Sequence, residues 1–247
     1  MKTQMKRTAG ITLLSALALF TGCSKTDHAG GSDSYQVNAS GSISKRYEVK
    51  SGIVHYQPMN IMGIQTTETL YFDDYGQKEA RETVMESDMM GMKTFEHKME
   101  IIDGNYSISY EIRKTVNGKD ETSKEATKTD MKEMREMAQM MGKNVDVNEL
   151  KKNFDYREEG TEEVAGVTGK KYSVAIDKEK PDSRVYGVMY KNIVLKSEMA
   201  GISIVASDIR ENVAVPASKF EVPAGYSVRE VNLAEEMERA AGENNEK

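Results

Sequence analysis

Alternation of apolar and polar residues is the dominant pattern of the chain after about residue 45. In KTFEHKMEII, residues 93–102, and in NYSISYEIR, residues 105–113, one phase of the alternation is mostly apolar or aromatic. This period of two is typical of strands with one wet face, and Asp103-Gly104 between the segments is a tight-turn signal. We therefore predict an antiparallel hairpin here, and a second hairpin that turns at Asp73 to Gly76.

The period changes between about residues 122 and 154. In TDMKEMREMAQMMGK, Met131, Met134 and Met141 stand at helical spacing, and Gly142 occupies a position where a helix commonly ends. A second short helix, DVNELKKNF, is predicted to follow. The insertion would form a helical hairpin with a methionine-rich face, and strand patterns resume after it.

Strands, a helical hairpin and further strands, in this order, predict an α+β protein. We expect one domain over residues 45–231, built on a curved antiparallel sheet whose concave face is covered by the helical hairpin. A polar helix and charged tail, residues 232–247, would follow. The residues predicted to line an apolar cavity between the sheet and the helices are Phe95, Met99, Ile101, Tyr106, Ile108, Tyr110, Met131, Met134 and Met141.

Residues 1–22 have the layout of an export signal. Three basic residues give a positive start, and the apolar run from Gly10 to Phe20 that follows is shorter than the roughly 20 residues of a membrane span. The segment is therefore predicted to be removed. Residues 23–44 are rich in Ser, Gly, Asn and Asp, which predicts a flexible tether.

The last residues of the signal and the residue after it read Phe20-Thr21-Gly22-Cys23, and Cys23 is the only cysteine of the chain. This ending resembles the lipobox of bacterial lipoproteins. The resemblance implies that Cys23 is diacylated, becomes the new N-terminus and anchors the protein, since two or more acyl chains make such attachment stable. Ser24 is compatible with sorting to the outer membrane. The alternative is an ordinary secretory signal with a cysteine just beyond the cut.

The charge of the chain argues against a nucleic-acid partner. The sequence has 34 basic and 40 acidic residues, a formal net charge of −6, and loss of the signal with its three basic residues makes the rest more acidic. Such a surface repels phosphates. A single cysteine allows no internal disulfide, so stability must come from packing.

The C-terminal third contains four short motifs: a strand with a Leu-Lys step, a strand ending near an asparagine, a Pro-x-x-x-Phe-x-x-Pro segment and a Gly-then-Tyr hairpin. The residues are Leu195, Lys196, Asn212, Pro216, Phe220, Pro223, Gly166, Gly169 and Tyr172. Together they resemble the LolA-like and LppX-like family of periplasmic lipoprotein domains. The resemblance implies an open half-barrel with helices over a hydrophobic cavity, in a family whose known members carry or sense acyl chains.

The segment MESDMMGMKTFEHKM suggests a Cu(I) site as an alternative, because thioether sulfur is a soft ligand. Its candidate ligands are Met85, Met89, Met90, Met92, His97 and Met99. Packing or cavity lining explains the same residues, since methionine also fills irregular apolar cores. We therefore expect no metal and no cofactor.

Catalytic motifs do not stand out in the sequence. GVTGKK departs from the spacing of a phosphate loop and runs into a strand-like segment, and neither Gly-x-Ser-x-Gly nor His-Glu-x-x-His occurs. The expected protein is thus a non-enzymatic lipoprotein of the outer membrane, facing the periplasm or the cell surface.

The expected role is that of a carrier, receptor or sensor that binds an acyl chain or another apolar ligand in the cavity. One alternative is a structural or protein-interaction module of the envelope, whose core is filled by its own side chains and whose acidic surface meets a protein partner. The other is a methionine-rich copper-binding protein.

Overall fold

A computed structural model describes residues 45–132, 155–175, 177 and 183–232, which form one sheet of 14 strands. Two short 3-10 turns, Asp74–Gly76 and Ala217–Phe220, lie between strands. In chain order the strands are β1 (Gly52–Tyr56), β2 (Met59–Ile61), β3 (Ile64–Asp73), β4 (Lys78–Met89), β5 (Met92–Asp103), β6 (Tyr106–Val116), β7 (Lys119–Asp120), β8 (Glu125–Asp130), β9 (Arg157–Val164), β10 (Val167–Ala175), β11 (Arg184–Tyr190), β12 (Ile193–Met199), β13 (Ile202–Glu211) and β14 (Ser227–Val231).

Across the sheet the strands follow the order β14-β8-β6-β5-β4-β3-β1-β13-β12-β11-β10-β9, with β2 paired to β3 and β7 paired to β6. The pair of β14 and β8 is parallel, whereas the hairpins of β3 with β4 and of β5 with β6 are antiparallel. The two hairpins predicted from the sequence, around Asp73–Gly76 and Asp103-Gly104, are therefore confirmed.

The first apolar core lies mainly on one face of β1, β3, β12 and β13, called the first face. Leu70 and Phe72 of β3 are buried there, and Leu70 pairs with Val54 of β1. Tyr47, from the segment before β1, packs against Phe72 with ring centroids 4.7 Å apart. The buried members of this core are Tyr47, Val49, Val54, Tyr56, Leu70, Phe72, Val164, Val188, Ile193, Leu195 and Ala206.

The second core lies on the opposite face, called the second face, of β3 to β6 and β8. One row across the sheet joins Tyr71, Ala80, Ile101 and Ile108, which pair in succession along β3, β4, β5 and β6. Alternate residues of a strand point to opposite faces, so β3 supplies both cores. The buried members are Ala80, Met99, Ile101, Tyr110 and Ala126.

The segment after β13, residues 213–226 and here called the strap, covers part of the second face. Its 3-10 turn contacts β4 and β5, and it leads to β14, which pairs with β8. The apolar side chains of the strap, Phe220, Val222 and Tyr226, pack against the second core. The cover of this core is thus an irregular segment of the chain itself.

The predicted α+β class is wrong. The described residues are mainly β-strand, with no helical hairpin over either face and no helix long and apolar enough to cross a membrane. β8 occupies the start of the span predicted to be helical, whereas Met134, Met141 and most of residues 232–247 lie outside the described ranges. The predicted half-barrel with one covered face is replaced by a sheet with apolar cores on both faces.

Glu79 of β4 is a buried charge with several partners. Its Oε2 accepts hydrogen bonds from Arg46 Nη1 and Tyr47 OH, both at 2.6 Å, and its Oε1 accepts one from Arg81 Nε at 3.1 Å. Burial alone would raise the pKa of Glu79, but the charges of Arg46 and Arg81 and the hydrogen bond from Tyr47 lower it to about 2. The ionised carboxylate therefore ties the segment before β1 to β4.

We expect Glu79→Gln to lower the free energy of unfolding by about 3 kcal/mol, because two arginines are left beside an uncharged buried group. The pKa of the folded state lies below the ordinary value of 4.5, so the carboxylate stabilises the native state above that pH. This contribution is lost as the pH falls from 4.5 towards 2. Urea unfolding near neutral pH and at about pH 3 measures both effects.

Glu162→Gln is the matched control, because Glu162 pairs with Lys171 and Lys196 at a more exposed site. Exposed pairs contribute little, so the control should lose less than about 1 kcal/mol near neutral pH. Equal losses in the two variants would show that the burial of Glu79 has no special effect on stability.

Candidate functional site

Six of the predicted cavity residues lie together on the second face. The register pairs Met99 with Tyr110 and Ile101 with Ile108, and Phe95 and Tyr106 belong to the same phase of β5 and β6. Met99, Ile101 and Tyr110 are buried, Phe95 and Ile108 are half-buried, and Tyr106 is exposed. Met131, just after β8, is half-buried. Met134 and Met141 lie outside the described residues.

The strap fills the apolar part of this face. The ring of Tyr226 meets that of Tyr110 edge-on, with centroids 5.1 Å apart, and Tyr226 OH donates a hydrogen bond to the carbonyl oxygen of Glu111 at 2.5 Å. Tyr110 OH donates to the carbonyl oxygen of Glu221 at 3.4 Å. The buried residues Met99, Ile101 and Tyr110 therefore contact side chains of the same protein, on the surface where an acyl chain was expected.

Glu82 of β4 fixes the strap to the sheet. Its Oε2 accepts hydrogen bonds from Lys219 Nζ of the strap at 2.6 Å and from Tyr71 OH at 2.7 Å, and its Oε1 lies 2.8 Å from His97 Nε2. Partial burial would raise the pKa of Glu82, but the hydrogen bonds from Lys219, Tyr71 and His97 lower it to about 2. Charge-assisted contacts thus hold one border of the strap.

Beyond Glu82, towards the hairpin between β4 and β5, the second face forms an open groove of 410 Å³. Its floor is a row of side chains that crosses five strands, because each residue pairs with the next. Asp88 and Lys93 lie at one border, and the guanidinium of Arg113 lies 5.6 Å from the ring centroid of Phe95. The row, here called the groove row, is Asn60, Gln65, Glu86, Phe95 and Thr115.

The groove row offers polar chemistry around one aromatic ring. Its amide, carboxylate and hydroxyl groups can donate or accept hydrogen bonds, and an arginine over an aromatic ring can stack on a planar group. Charges of both signs border the groove, so it favours neither a strongly anionic nor a strongly cationic ligand. This arrangement suits a polar, extended ligand better than an acyl chain.

The residues of the copper hypothesis do not form one cluster. The register places Met85, Met89 and Met92 on the first face, whereas His97 and Met99 belong to the second. His97 lies within hydrogen-bonding distance of Glu82, and Met99 is buried in the second core. Among the described residues no group of three or more His, Cys, Asp or Glu could hold a metal ion.

Sequence reasoning named Pro216, Phe220 and Pro223 of the strap only as a motif of the resemblance, and of the groove row it named only Phe95. The strap residues occur in KFEVPAGY, which has an apolar residue at every second position over Phe220 and Val222 but is too short and too close to proline to predict a strand. Gln65, Glu86 and Thr115 come from three different strands, and only the pairing register brings them together.

Comparison with known proteins gives no family. No family model matches the sequence, and no curated protein matches it. Among solved structures, an uncharacterized conserved protein from Thermus thermophilus has 10% identity and a TM-score of 0.44, with 75% of this chain and 95% of that chain covered.

Two further solved structures are similar at lower scores. A chain of the Pseudomonas aeruginosa MucA/MucB complex has 12% identity and a TM-score of 0.35, and the match covers 75% of this chain and 60% of that one. A β-barrel-like protein of a domain of unknown function from Brucella abortus has 12% identity and a TM-score of 0.31, with 68% and 100% covered. The LolA-like resemblance stays a prediction.

We expect Lys219→Met to loosen the strap, because it keeps the aliphatic stem but removes the charge that binds Glu82. Amide hydrogens of residues 217–226 should then exchange about tenfold faster, while those of β12 should not change. Hydrogen exchange followed by mass spectrometry measures this. Lys191→Met, which breaks the 2.6 Å contact with Glu211, is the control. Unchanged exchange in the strap would mean that Lys219 does not hold it.

Proposed function

We propose that this chain is a lipid-anchored, non-enzymatic interaction module of the bacterial envelope, and that the groove row binds an extended segment of a protein partner. The observation that supports this proposal is the division of the second face. The strap occupies its apolar part, and the part left open is lined by hydrogen-bonding side chains. We therefore prefer an interaction module, whose cores are filled by its own side chains and whose surface binds a protein partner, to a carrier of acyl chains.

An acyl ligand fits the open groove poorly. Its methylene groups would cover the carboxylate of Glu86 and the amide of Gln65 without supplying hydrogen bonds, and burying unpaired polar groups costs free energy. The apolar residues that would favour such a ligand, among them Met99 and Ile101, are already buried beneath the strap.

An extended peptide matches the groove row in length and chemistry. Five strands at a spacing of about 4.8 Å give a row of roughly 19 Å, which corresponds to about six extended residues. Side chains such as Asn60, Gln65 and Thr115 can pair with backbone N–H and C=O groups, which every peptide carries. Phe95 and Arg113 would add a contact for one planar or aromatic side chain.

The anchor at Cys23 would keep the groove close to a membrane, in our proposal the outer membrane. The flexible tether predicted for residues 23–44 would have a root-mean-square length of about 25 Å. Confinement to a thin layer raises the effective concentration of a partner in the same layer. A groove of modest affinity would then be occupied in the cell.

Peptide binding can be tested by panning a display library of random heptapeptides against the mature chain that carries Cys23→Ser. Selected peptides should lose about tenfold in affinity with Phe95→Ala, since one aromatic contact is removed. They should bind normally to Lys98→Ala, a change on the first face of the same strand. Failure to select peptides, or equal binding to both variants, would remove the groove proposal.

Fatty-acid binding is the contrasting test. We expect no stoichiometric uptake of a fluorescent fatty acid by the folded mature chain that carries Cys23→Ser, because the strap fills the apolar face. Phe220→Ala, which removes one strap contact, provides a control for accidental exposure of the core. Uptake at one molecule per chain by the protein with an intact strap would favour an acyl carrier instead.

Cys23→Ser is expected to abolish the incorporation of labelled palmitate and to move the protein from the detergent phase to the aqueous phase in a phase-separation assay. The reason is that stable attachment requires the acyl chains on the sulfur. The circular dichroism spectrum should not change, because the described domain begins about 20 residues later. Continued labelling would contradict the anchor.

A further inference from the structure

Three hairpin turns at one end of the sheet carry apolar residues. They are Met62-Gly63 between β2 and β3, Met90-Gly91 between β4 and β5, and Ala200-Gly201 between β12 and β13. The first two are neighbours, because Ile64 pairs with Ser87. The third lies at the same end, because β3 and β13 both pair antiparallel with β1 and therefore begin at the same end of the sheet. This end of the sheet is called the apolar end.

Among the residues that the structure describes, the turns at the opposite end are mainly polar. They contain Asp74, Asn105 and the pair Lys191-Asn192, with two exceptions: Ala165-Gly166, and Tyr75, whose ring lies against Lys45 Nζ. Turns ordinarily expose polar residues, since they lie in water. Asn117-Gly118, between β6 and β7, follows that rule although it lies at the apolar end. The apolar turns are therefore a feature of particular hairpins and not of the fold as a whole.

Neither backbone geometry nor packing explains the two methionines. Met62 and Met90 are 87% and 107% exposed. Both have a φ of 53° before a glycine of positive φ, a position for which asparagine is the ordinary choice. A side chain added at Gly63 or Gly91 would meet no atom within 4 Å, so both turns project into open space. Large apolar groups at such positions indicate a contact surface.

The residues that close these turns extend the surface onto the first face. Ile61 pairs with Ile64, and Met89 pairs with Met92. The side chains of Met89 and Met92 are about half exposed. The neighbouring charged pair, Asp88 and Lys93, belongs to the other phase of the strands, and its two charges lie 3.9 Å apart. The closing pairs can thus enter an apolar phase without carrying a charge with them.

We propose that the apolar end inserts Met62 and Met90 into the surface of a lipid bilayer. The surface consists of projecting turns and not of a groove, so it fits a fluid phase that can close around it. Methionine is flexible and adapts to such a phase. The proposal rests on the membrane location in the proposed function, because the lipid on Cys23 would bring the chain to the bilayer.

The tether is long enough for both contacts. The segment before β1 enters at the opposite end, where the amide of Arg46 donates to the carbonyl oxygen of Tyr75 at 2.7 Å. The 12 residues of β4 span about 40 Å. Residues 23–44 can reach roughly 75 Å when extended, so a sheet lying along the bilayer satisfies both the anchor and the apolar end.

The chain contains no tryptophan, so Met90→Trp creates a single fluorescent reporter in the mature chain that carries Cys23→Ser. With phosphatidylcholine vesicles we expect a blue shift of its emission and quenching by brominated acyl chains. Asp74→Trp, at an exposed left-handed position of the polar turn at the opposite end, is the matched control and should show neither. No blue shift and no quenching for Met90→Trp would overturn the proposal.

A second variant separates insertion from general adsorption. Met62→Asn, added to the Met90→Trp chain, suits the left-handed turn and should leave the melting temperature unchanged or higher. It should weaken vesicle partitioning about tenfold, because one buried apolar side chain is lost. Unchanged partitioning would overturn the proposal. The vesicle assay needs neither acylation of Cys23 nor peptide binding. Failure of the proposed function would be seen in the palmitate-labelling and peptide-selection experiments, independently of this assay.

Discussion

Two carboxylates of β4 hold the segment before β1 and the strap after β13 against the sheet. Glu79 points to the first face and binds Arg46 and Tyr47, which precede the sheet. Glu82 points to the second face and binds Lys219 of the strap. Both have a pKa lowered to about 2 because cationic and hydroxyl donors outweigh the cost of burial. One strand therefore fixes an N-terminal segment and a C-terminal segment from opposite sides, and the two apolar cores can form on opposite faces of a single sheet.

This two-sided arrangement determines which surfaces are left for function. A sheet with one apolar face would need a separate layer to cover it, and the space between layers is the usual place for an apolar ligand. Here the N-terminal segment fills the first core with Tyr47 and Val49, and the strap fills the second. The groove row is polar because it lies beyond the strap, where side chains of the second face need no apolar cover.

The sequence predicted most of the strands but not which segments of the chain cover them. Alternation assigned Met99, Ile101 and Tyr110 to one face, and the register agrees. Alternation cannot say what covers that face, because the alternating part of the strap is too short and too close to proline to predict a strand, and the methionines of residues 131–141 fit a helix whether or not it packs on the sheet. β8 was missed because EATKTD has one buried apolar residue, Ala126, and its strand form depends on pairing with β6 and β14.

The two proposals are compatible because they use opposite faces of the same strands. Ile61, Ile64, Met89 and Met92 belong to the first face at the apolar end, so a bilayer that receives the methionine turns lies on that side. The groove row belongs to the second face of the same strands and is then directed away from the lipid. Lying along the membrane, the sheet would present its polar groove to the aqueous side, where an extended segment of a partner can reach it.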